Sequence, residues 1–187
     1  MASEVQEVEV KYRVRGPEAM RTLEVALERR GGRLSPPIRQ DDQAYAQPGW
    51  EYGQSKIGVA FARLRTQDGR HLFTVKTPQA NEQACLEHET EVADREQMHR
   101  AIVAMGFRPT VRIVKVRRIA VLGDLTICVD VVEHAGTFVE LERTVPDGES
   151  GIAVQAGMDG WARSLGVELE RTSDTYDSLV RAALLPA

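Results

Sequence analysis

Glu7, Glu9 and Lys11 alternate with Val8 and Val10 near the start of the chain, and the same pattern returns in six later segments. These are Ala62-Arg63-Leu64-Arg65, Phe73-Thr74-Val75-Lys76, Glu87-His88-Glu89-Thr90-Glu91, Val114-Lys115-Val116-Arg117, Ile127-Cys128-Val129-Asp130 and Phe138-Val139-Glu140-Leu141-Glu142. A strand sends residues i, i+2 and i+4 to one face, so each segment presents its charges together. Glu7, Glu9, Glu89, Glu91, Asp130, Glu140 and Glu142 form an acidic set; Lys11, Arg63, Arg65, Lys76, Lys115 and Arg117 form a basic one. Paired carboxylates are hard oxygen donors suited to Mg2+ or Mn2+, which commonly bind one or two carboxylates together with waters and substrate phosphates. A ladder of Arg and Lys suits a polyphosphate, because Arg grips phosphate oxygens bidentately and Lys acts as a point charge. The two sets together describe metal-assisted phosphoryl transfer.

Such residues need a scaffold that turns them toward one another. A sheet with one face in water would tolerate Ser, Thr, Asn and Gln there, yet these strands supply charges almost exclusively and carry mostly Val, Leu, Ile, Phe or Ala on the reverse. The simplest account is a closed or nearly closed barrel with charges inside and apolar faces covered by external helices. Buried charges need partners, and carboxylates, cations, a metal and a polyanion in one lumen would supply them. Pro17 opens a helix running to Gly31-Gly32, and Asp94 caps a second that ends at Gly106. A third follows the turn Pro146-Asp147-Gly148 and stops at Gly166, and Ser173 caps the last. Residues 36–58, rich in Gln, Gly and Pro, read as an irregular loop. Clustered strands with intervening helices give an α+β fold, and no GxGxxG or GxxxxGK[ST] phosphate loop is present.

The 187 residues suit a single domain spanning 1–187, with 42% hydrophobic and 28% charged residues as in an ordinary soluble protein. No apolar run approaches the roughly 20 residues of a membrane helix, and residues 1–4 begin no signal peptide, so a cytoplasmic protein without a membrane partner is expected. Cys85 and Cys128 lack a CxxC spacing, and His71, His88, His99 and His134 lack a metal-ligand spacing. The net charge of −4 argues against a nucleic-acid partner, although a cationic lumen inside an acidic protein still attracts an anion.

EVEVK, ARLR, TVK, EHETEV, KVR and DVVEHAGTFVELE, in this order from about Val5 to Tyr176, resemble the CYTH superfamily. These triphosphate tunnel metalloenzymes include class IV adenylate cyclases, thiamine triphosphatases and inorganic triphosphatases. The resemblance implies an antiparallel eight-stranded β-barrel, a linear triphosphate lying along its tunnel, one or two divalent ions, and in some relatives a homodimer. Carried onto this chain, it makes Glu7, Glu9, Glu140 and Glu142 metal ligands, with Asp130 a ligand or water-orienting group. Glu89 and Glu91 would complete a second metal site. Lys11, Arg63, Arg65, Lys76 and Arg117 would hold phosphate oxygens, and Lys115 the substrate or a neighbouring carboxylate. Glu9, Asp130, Lys76 and Arg117 would be the catalytic group.

Three positions depart from the family pattern. Glu87 stands where class IV members tend to carry arginine, Ala44-Tyr45 replaces an aromatic pair after Asp42, and Lys76-Thr77-Pro78 replaces Lys-Gly-Pro. No feature identifies a purine pocket, so a metal-dependent hydrolase of an inorganic, thiamine or nucleoside triphosphate is the expected activity. Adenylate cyclisation of ATP and plain polyphosphate binding are the alternatives. Removing Arg65 is expected to weaken substrate binding while leaving the fold intact.

Overall fold

A computed structural model of the protein describes residues 5–146 and 148–185; Asp147, in the expected turn, and residues 1–4 lie outside the described residues. In chain order the elements are β1 (Val5–Arg13), α1 (Gly16–Glu28), β2 (Ile38–Ala46), β3 (Phe61–Gln67), β4 (Arg70–Asn81), β5 (Ala84–Val92) and α2 (Arg95–Ala104). They continue with β6 (Arg108–Leu122), β7 (Leu125–Val132), β8 (Gly136–Pro146), α3 (Gly151–Ser164), β9 (Glu170–Thr172) and α4 (Tyr176–Leu184). The strands run in the order β5-β4-β3-β2-β6-β7-β8-β1, and β1 pairs back onto β5 to close an antiparallel eight-stranded barrel. The closing seam is short, Gln6 to Val8 against Ala84 to Leu86, and past it β9 pairs with Lys11 to Arg13.

The alternation seen in the sequence decides which side chains face out. Val8, Val10 and Tyr12 of β1, Ile127 and Val129 of β7, and Val139 and Leu141 of β8 pack under Leu23 and Leu27 of α1 and Val154 and Met158 of α3. A second outer cluster joins Tyr45, Ala62 and Leu64 to Ile102 of α2. Burying side chains of this size stabilises the fold by about 1.5–3 kcal/mol each, which fixes the register and turns the intervening charges inward. Among the described residues no helix is long and apolar enough to cross a membrane.

Two local expectations are corrected. Residues 36–58 contain β2, whose Ile38 to Ala46 pair with both β3 and β6. Its sequence conceals this because polar residues occupy both faces. The last helix is capped by Thr175, whose hydroxyl accepts from the Ser178 amide, rather than by Ser173. Asp94 caps α2 as expected, accepting from the Gln97 amide at 2.9 Å, and α3 begins after Ser150, which caps it.

Candidate active site

Strand register brings the charges together. Glu9 lies opposite Glu142, and Lys11 opposite Glu140; Arg117 lies opposite Asp130 and Arg65 opposite Asp42. The lumen between them holds a cavity of about 330 Å3 lined by Glu7, Glu9, Lys11, Arg63, Arg65, Lys76, Glu89, Lys115, Arg117, Glu140 and Glu142 of the expected set, and by Asp42, Glu87 and Tyr176.

Glu9, Glu140 and Glu142 each offer a carboxylate oxygen within 4.8 Å of the other two. Three hard oxygen donors at this separation fit Mg2+ or Mn2+. Lys11 partly balances them, its Nζ 3.3 Å from Glu9 and 3.2 Å from Glu140. Arg117 contacts Glu140 and lies 3.3 Å from Glu142. Burial, with the neighbouring Glu140, Glu7 and Glu9 carboxylates, pushes Glu142 up to about 7 against the pull of Arg117. Glu9 is raised as well, chiefly by burial. Glu140 is buried too, but Lys11, Arg117 and Lys115 hold it below the usual carboxylate range. Glu142 is thus the carboxylate of the three whose proton a divalent cation would displace on binding near neutral pH.

A second group forms around Lys76, whose Nζ lies 2.5 Å from Glu7 and 2.6 Å from Glu87. Burial opposes the ionisation of Glu7, yet Lys76, with help from Arg63, takes it to about 2. Arg63 donates to Thr74 Oγ1 at 3.0 Å and Glu89 at 3.2 Å, while its Nε is buried with no acceptor among the described residues. That orphaned donor is a place for an anionic oxygen.

Three further candidates hold other positions. Asp130 is fully buried and accepts from Arg117 Nε at 2.7 Å, Arg117 Nη2 at 2.6 Å, Lys115 at 3.1 Å and the Tyr176 hydroxyl at 2.8 Å. It stands outside the three-carboxylate group and orients two cations. Glu91 pairs with exposed Arg70 away from the cavity lining, and Glu89 lies with Arg63 and Thr74. The thiols of Cys85 and Cys128 stay protonated, burial pushing Cys85 up to about 12 and Cys128 further.

Sequence reasoning passed over Asp42, Glu87 and Tyr176 as site residues. Arg65 makes a bidentate pair with Asp42 through two 2.7 Å bonds. Glu87 was visible as a departure, two residues before Glu89, and its period-2 spacing was the available signal. Tyr176 opens the last helix, and nothing local announces that its hydroxyl reaches Asp130.

Comparison with known proteins gives a consistent picture. "Putative adenylate cyclase MJ0240" of Methanocaldococcus jannaschii is 33% identical over 87 residues, a stretch covering 46% of this chain and 50% of that relative's length. PH1819 of Pyrococcus horikoshii OT3 shares the fold with a TM-score of 0.77 at 24% identity, over 94% of this chain and 98% of that one. HpAC1 of Hippeastrum, a "putative adenylyl cyclase" described as having a dominant triphosphatase activity, matches at a TM-score of 0.62 and 19% identity over 98% of both chains. The CYTH domain pattern itself covers residues 5–176, and on that extent the chain belongs to the CYTH domain family.

Proposed function

We propose that the protein is a divalent-metal-dependent phosphohydrolase acting on a triphosphate held in the barrel. The observation that carries this reading is the meeting, in one cavity, of the Glu9-Glu140-Glu142 group with six cationic side chains. Lys11, Arg63, Arg65, Lys76, Lys115 and Arg117 neutralise phosphate oxygens, and Asp42 and Asp130 hold Arg65 and Arg117 in fixed orientations. Glu9, Glu140 and Glu142 would bind Mg2+ or Mn2+, and Glu7 lies on the same strand face toward the Lys76 side. A bound divalent ion supplies Lewis-acid polarisation of a phosphoryl oxygen. Glu9 orients the attacking water and takes its proton as the new P–O bond forms. The bridging P–O bond breaks with its electron pair leaving on the departing phosphate. Arg117 and Lys76 balance the charge that builds on the phosphoryl oxygens.

Cyclisation of ATP is the second reading, and the description of MJ0240 favours it. The same cations would grip the triphosphate, but a cyclase must also seat adenine. The uncharged wall here is limited mainly to Ala44, Phe61, Ala62, Cys85 and Ile113 beside Tyr176, which favours hydrolysis. Incubation with inorganic triphosphate, thiamine triphosphate and ATP, each with Mg2+ or Mn2+, decides between them. Orthophosphate without cyclic nucleotide supports the hydrolase; cyclic AMP with equimolar pyrophosphate replaces it with the cyclase.

A further inference from the structure

The aliphatic residues of β7, Ile127 and Val129, pack outward against the helices. Cys128, between them, turns to the charged side, with Asp130 two residues on and Glu140 directly opposite in the ladder. A cysteine serving only as a small apolar filler would join its neighbours on the outer face. Instead Cys128 is buried and its Sγ donates to Glu142 Oε2 at 3.5 Å. The other oxygen of Glu142 faces Arg117 Nη1 at 3.3 Å. Glu142 is therefore shared between the three-carboxylate group and a thiol. Cys85, by contrast, donates to the backbone carbonyl of Glu82 at 3.6 Å.

The separation of that sulfur and oxygen carries chemical meaning. Zinc binds a thiolate at about 2.3 Å and a carboxylate oxygen at about 2.0–2.2 Å, and two such bonds at a tetrahedral angle set the donors about 3.5–3.7 Å apart. Cys128 Sγ and Glu142 Oε2 already stand at the short end of that range. Donor softness then separates the ions. A hard ion such as Mg2+ or Mn2+ takes the oxygens of Glu9, Glu140 and Glu142 and leaves the S–H bond intact, whereas a soft ion replaces the thiol proton, which passes to solvent.

We propose that Cys128 and Glu142 form a thiolate–carboxylate subsite for a thiophilic divalent ion, Zn2+ or Cd2+, which displaces the hard ion by withdrawing Glu142 from the Glu9-Glu140-Glu142 group. This rests on the reading that the three carboxylates hold Mg2+ or Mn2+. Cys128 stands behind Glu142, outside the cavity lining, so the two ions compete for one carboxylate and not for the same volume. Cys128 is thus a metal-selectivity residue, and a thiophilic ion inhibits turnover by removing a ligand of the activating one.

The test loads chelator-treated protein with Mn2+ and titrates it with Cd2+. The ultraviolet charge-transfer band of a thiolate–Cd2+ bond and the paramagnetic resonance of released Mn2+ are followed together. In the wild-type protein both are expected to rise in step. Cys85→Ser retains both signals, because Cys128 is then the only thiol in the chain. Cys128→Ser loses the band, and its ratio of Cd2+ to Mn2+ affinity falls at least ~10-fold. Should Cys128→Ser not fold, Cys128→Ala is read in its place, and Cys85→Ser assigns the sulfur independently. Absence of the band in the wild-type protein, its loss in folded Cys85→Ser, or its persistence in the Cys128 variant overturns the thiolate ligand. A band without release of Mn2+ overturns the shared carboxylate. Failure of Mn2+ to bind the wild-type protein at the outset overturns the metal reading itself, a result distinct from the others.

Discussion

Arg65 and Asp42 show how a residue built for an anion also becomes part of the fold. Both are nearly excluded from solvent, and their two parallel hydrogen bonds satisfy each other. Arg65→Ala leaves the Asp42 carboxylate buried without its partner, so it should cost roughly 3–5 kcal/mol of stability in addition to substrate binding. The expectation of an intact fold after that substitution is revised accordingly. Urea denaturation of Arg65→Ala and of Arg65→Ala with Asp42→Asn checks this, the second change restoring part of the loss. The same pair has a pH signature. Burial opposes the Asp42 charge, but the hydrogen bonds and charge of Arg65 prevail and lower its pKa from 3.8 to about 2. A carboxylate depressed in the folded state contributes stability that is complete above its unfolded value and is lost as pH falls through the folded one. At about 1.4 kcal/mol per pH unit this is about 2 kcal/mol. The stability difference between wild type and Asp42→Asn should therefore narrow by about that amount between pH 5 and pH 2. A constant difference would remove the ion pair from the account.

At the scale of elements, the barrel depends on how helices cover its seam. Gly151 opens α3 where a Cβ would stand 2.9 Å from Ala84 Cβ and 3.4 Å from Gln6 Oε1, on the two strands that close the barrel. Gly151→Ala should therefore destabilise by about 1–3 kcal/mol through overpacking. Gly157→Ala in the same helix, where a Cβ meets nothing within 4 Å, should stabilise by about 0.5–1 kcal/mol. Thermal melts of the two variants separate these signs. The sequence made most of the strands legible because a charged inner face against an aliphatic outer face leaves a clean period of two. β2 broke that rule: Arg39, Asp41 and Gln43 alternate with Gln40 and Asp42, so neither face is apolar and the strand looks like loop. Its identity comes from hydrogen bonding to β3 and β6, which are distant in sequence. Missing β2 also hid Asp42. The pattern named most charges that line the cavity, but it also named Asp130 and Glu91, because spacing gives a face and not the depth along it.

For the whole molecule, the balance of charge decides what the lumen can hold. Its wall carries Glu7, Glu9, Asp42, Glu82, Glu87, Glu89, Glu140, Glu142 and Asp177 against Lys11, Arg63, Arg65, Lys76, Lys115 and Arg117, in a chain of net charge −4. Carboxylates outnumber cations, so a triphosphate entering alone meets an excess of like charge. A divalent ion at the Glu9-Glu140-Glu142 group would reverse that balance and offer the phosphate oxygens a shared partner. Metal and triphosphate should accordingly bind with positive coupling of about 1–3 kcal/mol, and each must raise the affinity of the other by the same factor. Calorimetric titration of inorganic triphosphate in EDTA and in saturating Mn2+, with the reciprocal titration of Mn2+, measures both sides of that cycle. Glu9→Gln removes one charged ligand while keeping its shape, and should lower turnover, metal affinity and the coupling together. If the variant retained wild-type coupling, the ion would have to sit elsewhere in the lumen. The pair of Glu7 and Glu87 around Lys76 would then be the next place to substitute.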